Sequence, residues 1–278
     1  MIENCTFAII GPGVMGRTIA FSLINAGVSP QRLTLAGPNA DRLIELAQEL
    51  SVSTTLDNAA AAQPADVIIL AVKPQRLNQA ARVIRPALKE TALVISIVAG
   101  ISTAALSQQL STDRIVRAMP NTPARIGMGI TVWTCTPRVD ETQKETTAEV
   151  FRSMGEEVFV EDEVYLDMAT ALSGTGPAYV FLFMESMIDA GVHMGFPRRI
   201  AEQLVLQTLR GSTEFYARRH EHPAALRNEV TSPGGTSAEA LYYLEKAGFR
   251  TAISRAIWAA YQRSMDLGTG KSKQNLEG

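Results

Sequence analysis

The first residues that indicate chemistry are the glycines of the segment Gly11-Pro12-Gly13-Val14-Met15-Gly16. The segment directly follows an apolar run, residues 6–10, and it opens a stretch with helical periodicity. In this context the glycines form a dinucleotide-binding turn, because they allow a tight turn, a close approach to the pyrophosphate and packing of helix on strand. The alternative is a tight turn that binds nothing. We predict that a dinucleotide contacts Gly11, Gly13, Val14, Met15 and Gly16.

The end of the second predicted strand indicates which dinucleotide binds. NAD-preferring sites usually have an acidic residue about 20 residues after the turn, where it holds the ribose 2'-hydroxyl. The segment Leu35-Ala36-Gly37-Pro38-Asn39 contains no acid. We therefore predict NADPH, with NADH as the alternative, and we predict that Asn39 and Arg42 contact the 2'-phosphate. A solvated helix residue is the alternative for Arg42.

Two further predicted strands end in residues that suit the cofactor. They end in Ala71-Val72-Lys73-Pro74 and in Ile97-Val98-Ala99-Gly100, at the carboxyl edge where open α/β sheets bind ligands. A lysine between a buried strand and a proline has little structural reason to be there, although a surface charge is the alternative. We predict a functional Lys73 and a nicotinamide side that includes Ala71, Val72, Pro74 and Ala99.

Small residues run into a predicted helix start within residues 230–241, which read Val-Thr-Ser-Pro-Gly-Gly-Thr-Ser-Ala-Glu-Ala-Leu. Backbone N–H groups and hydroxyls converge there, and the helix dipole favours an anion. The segment predicts a carboxylate site, with a loop capped by Ser or Thr as the alternative. The predicted ligands are Ser232, Gly234, Gly235, Thr236 and Ser237.

These motifs, taken together, resemble pyrroline-5-carboxylate reductase over about residues 6–267. Besides the segments above, the resemblance is carried by Arg117-Ala118-Met119-Pro120-Asn121-Thr122-Pro123, by residues 173–179 and by Gly195-Phe196-Pro197-Arg198. It implies reduction of 1-pyrroline-5-carboxylate to L-proline, the last step of proline biosynthesis, with hydride transfer from nicotinamide C4 to the imine carbon.

The same resemblance assigns roles to single residues. It places Ser237 on the ring-nitrogen side of the substrate, and with Thr236 and Lys73 this serine completes the catalytic candidates. Members of the family often have Thr at that position, and Ser keeps the hydroxyl but loses the methyl that restricts its rotamer. Whether the substrate binds as an iminium or receives a proton through a hydroxyl or water stays open. Cofactor contacts are implied for Asn58, Met119 and Asn121, and a helix cap is the alternative for Asn58.

The elements that position these residues fall into two predicted domains. Residues 1–163 alternate short Ile- and Val-rich runs with helices, which predicts a doubly wound, Rossmann-type α/β sheet. Residues 164–268 predict an all-α substrate and dimerisation domain, with helix starts at Pro177, Pro197 and Pro223. Residues 269–278 predict a flexible tail. The expected strands are 6–10, 32–36, 52–55, 66–72, 92–98, 115–119, 129–135 and 157–160, and the expected helices of the first domain are 14–26, 39–50, 75–88, 102–110 and 140–154.

Two helices of the second domain, 177–194 and 198–219, have apolar residues around much of their circumference. We expect a homodimer, with a ring of dimers as a further possibility. The alternative is that both helices pack only within their own domain.

Composition excludes several classes of function. The 278 residues have a net charge of −2 and no basic, aromatic-rich stripe, so we expect no nucleic-acid partner. The two cysteines are far apart and lack metal-ligand spacing, which predicts reduced, inert thiols and no metal site. No apolar segment approaches the roughly 20 residues of a membrane helix, so we expect a cytoplasmic protein that does not bind a membrane.

Two other functions compete with the reductase. A β-hydroxyacid dehydrogenase is expected to use a lysine acid in its helical domain, but no lysine lies between Lys144 and Lys246. His193 has glycines nearby and is expected at a helix end. The other competitor is a dinucleotide sensor without catalysis, which has no need of a carboxylate site.

Overall fold

The computed structural model describes residues 1–268, so the predicted flexible tail, 269–278, lies outside the described residues. Within 1–268, eight strands form one sheet. Their bounds are β1 Phe7–Ile10, β2 Leu33–Ala36, β3 Ser53–Thr55, β4 Val67–Leu70, β5 Leu93–Ser96, β6 Ile115–Met119, β7 Gly129–Cys135 and β8 Gly155–Phe159. All eight correspond to predicted strands, although several are shorter. For example, β4 ends at Leu70 because its partner β1 ends at Ile10, where Gly11 turns the chain with a φ of 91°.

The order of the strands creates the place where a ligand binds. The sheet runs β3-β2-β1-β4-β5-β6-β7-β8, and β1 to β6 are parallel. Only the far edge differs, since β7 is antiparallel to β6 and β8 is parallel to β7. The chain reverses its direction of winding between β1 and β4. Ligands of open α/β sheets bind outside the carboxyl ends of the strands at such a point.

Helices cover both faces of this sheet. They are α1 Val14–Asn25, α2 Ala40–Leu50, α3 Asn58–Ala62, α4 Pro74–Ile84, α5 Thr103–Leu110, α6 Glu141–Arg152 and α7 Val164–Ala169. The strands β1, β4 and β5 are buried throughout, which explains their uninterrupted apolar runs. The prediction of one helix over 75–88 was wrong at its end: α4 stops at Ile84 and a 3₁₀ turn follows, because Pro86 has no N–H to donate.

The rest of the described chain is helical, as predicted. Its helices are α8 Gly176–His193, α9 Arg198–Arg219, α10 Pro223–Glu229, α11 Thr236–Lys246 and α12 Phe249–Gly268. Each of the three prolines lies at a helix start: Pro177 in the first turn of α8, Pro197 at the N-cap of α9 and Pro223 as the first residue of α10. Because proline needs no hydrogen-bond acceptor there, these positions tolerate it.

Two compact units are present, one of Met1–Thr175 with the described residues from Ala260 on, the other of Gly176–Ala259. The boundary predicted at 163/164 marks the change from mixed to helical structure and lies earlier than this division. Residues 164–175 belong to the first unit, and Arg117 of β6 forms ion pairs with Asp167 of α7 and with Glu163, the N-cap residue of α7. A π-helical turn, Thr170–Gly174, follows α7.

Neither cysteine is paired in the structure. Burial raises the pKa of the Cys5 and Cys135 thiols, which makes the thiolate scarce at neutral pH. Among residues 1–268, no helix has both the length and the apolar character needed to cross a membrane. The cytoplasmic location stays a prediction.

Candidate functional site

The glycine turn between β1 and α1 depends on glycine at two positions. A Cβ on Gly11 would lie 2.8 Å from a side-chain carbon of Val72, and one on Gly16 would lie 2.7 Å from the Gly11 oxygen. The turn is held by a hydrogen bond from the Gly11 N–H to the Ala36 oxygen, 2.8 Å long. A Cβ on Gly13 would have no atom within 4 Å. The turn therefore has the predicted geometry, with Gly13 open to a ligand.

A groove of about 740 Å³ lies over the carboxyl ends of β1, β2 and β4. It brings together eight residues that the sequence predicts as cofactor contacts, namely Gly11, Gly13, Asn39, Arg42, Asn58, Ala71, Val72 and Lys73. The other predicted contacts are not in its lining: Val14, Met15, Gly16, Pro74, Ala99, Met119 and Asn121. The groove thus contains residues that the sequence predicts around the turn and at the ends of β2 and β4, and it lacks Ala99, Met119 and Asn121, which are predicted beside the nicotinamide.

The end of β2 leaves no room for an acid. Ala36 is fully buried, and a Cβ on Gly37 would lie 2.9 Å from the Cδ of Pro12 in the glycine turn. The first polar side chain beyond is Asn39, whose Oδ1 accepts a hydrogen bond of 2.9 Å from the Arg42 N–H and caps α2. Arg42 is half-buried, and its Nη1 lies 3.4 Å from Oε2 of Glu45. Sterics therefore explain the missing acid, and Arg42 is available for an anion.

Asn58 contains a buried polar atom that needs a partner. Its Oδ1 is buried and accepts no hydrogen bond from the described residues. The alternative that Asn58 caps a helix is wrong, because Asp57 accepts the N–H groups of Ala59 and Ala60 at the start of α3. An unpaired buried acceptor costs about 1–3 kcal/mol. Since Asn58 lines the groove, a ligand hydroxyl such as that of a ribose would satisfy it.

Two cations at the start of α4 line the same groove. Lys73 is the N-cap residue of α4 and is exposed, and Arg76 follows in its first turn. Arg76 is not among the residues predicted from the sequence. Its spacing of three residues from Lys73, which places both on one face of the helix, is the signal that identifies it. With Arg42, these side chains give this part of the groove a positive charge, which attracts anions.

The predicted nicotinamide contacts Met119 and Asn121 lie against the π-helical turn. The Asn121 Oδ1 accepts from the Ile130 N–H at 3.0 Å, and its Nδ2 donates to the Ser173 oxygen at 3.3 Å. A Cβ on Gly174 would lie 2.6 Å from the Met119 Cε. The side chain of Asn121 is therefore committed to the protein, and it positions the chain beyond β6.

In the second unit, the start of α11 has the form of an anion site. Its N-cap is Gly235, and no side chain caps the helix, so the alternative of a Ser or Thr cap is wrong. Among the described residues, the N–H groups of Thr236, Ser237 and Ala238 have no acceptor. Gly235 approaches Ser232 so closely that an added Cβ would lie 2.6 Å from the serine Oγ. Free N–H groups at a helix start bind carboxylates and phosphates.

Comparison with known proteins identifies the family of the chain. Residues 163–267 match the family model described as pyrroline-5-carboxylate reductase dimerisation, and residues 6–100 match that of NADP oxidoreductase, coenzyme F420-dependent. The chain is 40% identical to a pyrroline-5-carboxylate reductase of Synechocystis over 94% of its own length and 97% of that protein's. It is 37% identical to one from Pseudomonas aeruginosa, with 94% and 96% covered.

A solved structure has the same fold throughout. The pyrroline carboxylate reductase of Plasmodium falciparum, solved with NADP bound, superposes with a TM-score of 0.88 at 34% identity, covering 96% of this chain and 99% of that one. The predicted fold class, a Rossmann-type domain followed by a helical dimerisation domain, is confirmed by these matches. The resemblance stated from the motifs is likewise confirmed, and the chain belongs to the pyrroline-5-carboxylate reductase family.

Proposed function

We propose that this protein reduces 1-pyrroline-5-carboxylate to L-proline, the last step of proline biosynthesis, with NADPH as the hydride donor. The observation that carries the proposal is the identity of 40% to a relative of that name over 94% of the chain. The uncapped start of α11 supports it, because the substrate is a carboxylate and needs an anion site.

The groove of the first unit supplies suitable groups for the dinucleotide. The N–H groups at the start of α1, with Gly11, Gly13 and Gly16, would hold the pyrophosphate. Asn58 would accept from a ribose hydroxyl, which pairs its buried oxygen. Arg42 and Asn39 would contact the 2'-phosphate, although the Oδ1 of Asn39 already caps α2. These groups and the missing acid favour NADPH over NADH, which stays the alternative.

Bound nicotinamide supplies the hydride, and the chain supplies the surroundings. We assign Val14, Met15, Ala71, Val72, Pro74, Ala99, Met119 and Asn121 to the wall around the cofactor. Lys73 lines the groove proposed to hold the phosphates of the dinucleotide, so we assign it to cofactor binding before catalysis. Its catalytic role stays a prediction.

The start of α11 is proposed to bind the substrate. The N–H groups of Thr236 and Ser237 would donate to its carboxylate, with further hydrogen bonds from Ser232 and from the backbone of Gly234 and Gly235. Ser237 is half-buried, and its hydroxyl would face the ring nitrogen. Holding the imine in place then provides much of the rate, because reaction between bound partners needs only the correct geometry.

A homodimer is proposed from the burial of the second unit. Only Gly191, Ala201 and Val205 are buried among residues 176–259. Apolar side chains as large as Phe181 and Trp258 are 62% and 60% exposed in the single chain. A unit with so small a core needs a further surface to cover it. A second copy is the proposed cover, and a ring of dimers is the alternative assembly.

The activity is tested by following NADPH oxidation in three reactions, with pyrroline-5-carboxylate, with a β-keto acid and with neither. We expect turnover only in the first, with L-proline as the product. Turnover with the β-keto acid would favour the dehydrogenase. Tight binding of NADPH without turnover in any reaction would favour the sensor and refute the proposal.

A further inference from the structure

Arg117 is a buried cation that the proposed function leaves without a role. It lies in β6, and its side chain is only 7% exposed. Its Nη1 lies 2.9 Å from Oε1 of Glu163, and its Nη2 lies 3.0 Å from Oδ1 of Asp167. One guanidinium therefore joins two carboxylates at the beginning of α7, which a lysine ammonium cannot do with the same geometry.

Each of these carboxylates holds a further segment of the first unit. Glu163 accepts hydrogen bonds from the Thr103 N–H and hydroxyl, at 2.8 and 2.7 Å. Asp167 accepts one of 2.8 Å from the Ser264 hydroxyl. Arg117 thus connects β6 with α7, with the first residue of α5 and with the last turns of α12. We name these five residues the Arg117 network.

The segments joined by the Arg117 network include those assigned to the nicotinamide side. Thr103 follows Ala99 and Gly100 after β5, and Met119 ends β6 two residues beyond Arg117. Gly100 has a φ of 75°, and an added Cβ would lie 3.0 Å from Leu267. The loop after β5 is therefore held by Glu163 on one side and by the end of α12 on the other, and β6 is held to the same Glu163 through Arg117.

We propose that Arg117 is a positioning residue for hydride transfer, which sets the distance between the loop carrying Ala99 and the end of β6 at Met119. The proposal rests on the proposed function. Arg117 touches neither cofactor nor substrate in it, and acts through Glu163 and Asp167. Displacement of bound reactants by about 1 Å costs on the order of 10²-fold in rate.

The Arg117 network lies outside the groove, so its loss is expected to affect catalysis and cofactor affinity differently. None of its five residues lines the groove that would hold the adenosine and the pyrophosphate. Loss of the network should therefore reduce kcat and leave the Kd for NADPH almost unchanged. A purely stabilising ion pair would instead change the melting temperature without a specific effect on the chemical step.

The experiment compares Arg117→Lys and Arg117→Met with Arg114→Lys. Arg114 precedes β6 and pairs with Asp140 at 3.3 Å, so it is a control for the loss of an arginine ion pair at the opposite end of the strand. Ser264→Ala removes only one hydrogen bond of the network and keeps the test valid if Arg117→Met fails to fold. Measurements are Tm, the Kd for NADPH, kcat, and the isotope effect on kcat with NADPH deuterated at the transferred position, at a temperature well below Tm.

We expect Arg117→Lys to lower kcat by more than about tenfold and to raise the isotope effect, because hydride transfer becomes rate-limiting. The Kd for NADPH should change by less than about threefold. Ser264→Ala should also lower kcat and raise the isotope effect, but by less. Arg114→Lys should change neither kcat nor the isotope effect. An unchanged kcat, or a loss of kcat with an unchanged isotope effect, would overturn the positioning role alone. A wild-type protein without turnover of pyrroline-5-carboxylate would refute the proposed function and this role together.

Discussion

Replacing Asn58 by Ala should make the free protein more stable while it weakens NADPH binding. The buried Oδ1 has no partner among the described residues, and such an acceptor costs about 1–3 kcal/mol. Alanine also has the better helix propensity, and the next four residues of α3 are alanines already. Lost packing of the amide offsets part of this gain, so we expect a net stabilisation of about 1 kcal/mol.

The same substitution removes the acceptor proposed for the ribose hydroxyl. Loss of one hydrogen bond of about 1–1.5 kcal/mol corresponds to a Kd for NADPH that is about tenfold higher. Thermal unfolding without NADPH measures the stability of the free protein, with an expected rise in Tm of about 2–4 °C. Titration calorimetry measures the Kd for NADPH. Stability and affinity should thus change in opposite directions.

Asp57→Ala is the matched control. Asp57 is the neighbouring residue and accepts two backbone N–H groups, so its loss should destabilise the protein by about 1 kcal/mol. If Asn58→Ala lowers Tm like the control and leaves the Kd for NADPH unchanged, the oxygen is satisfied within the protein. The assignment of Asn58 to the cofactor would then be wrong.

Three further substitutions test the other assignments. Gly37→Asp should raise the Kd values for both NADPH and NADH by about tenfold or more, because a Cβ there displaces the glycine turn. A gain of NADH affinity would contradict the steric argument. Ser237→Ala should lower kcat/KM for pyrroline-5-carboxylate by about 10- to 100-fold without a change in the Kd for NADPH, whereas Thr142→Ala, at the same place in the exposed first turn of α6, should change neither. Equal loss of both functions in Ser237→Ala would mean that the site is misplaced. Leu204→Glu should halve the mass measured by light scattering, and Gln203→Glu on the same helix should not; an unaltered mass in the first variant would exclude α9 from the proposed interface.

Local pattern was sufficient for most of the fold because each element is specified by its own residues. The run at β1 is apolar throughout because the strand is buried on both faces, and Gly11 and Gly16 of the turn stand where a Cβ would collide. Helix starts in the second half follow from Pro177, Pro197 and Pro223, which mark positions that need no hydrogen bond. The five residues of α3 were not predicted, since so short a helix shows no periodicity.

The cofactor site was predicted in part for a similar reason. Gly11 and Gly13 belong to a motif with fixed spacing, so sequence is enough to identify them. Arg76 was missed because its role depends on which face of α4 lines the groove. The absence of an acid after β2 is visible in the sequence, but its cause, the contact of Gly37 with Pro12, joins segments far apart in the chain.

By itself, the sequence determined the class of fold, the glycine turn after β1 and the family, and it predicted the anion site at residues 230–241. These depend on the periodicity and spacing of neighbouring residues. Only the tertiary structure decided that the Oδ1 of Asn58 is buried without a partner, that Asn121 bonds to Ser173 and Ile130, and that Arg117 joins Glu163 to Asp167. Those contacts connect residues as many as 52 positions apart in the chain, as between Asn121 and Ser173, and only packing brings such residues together.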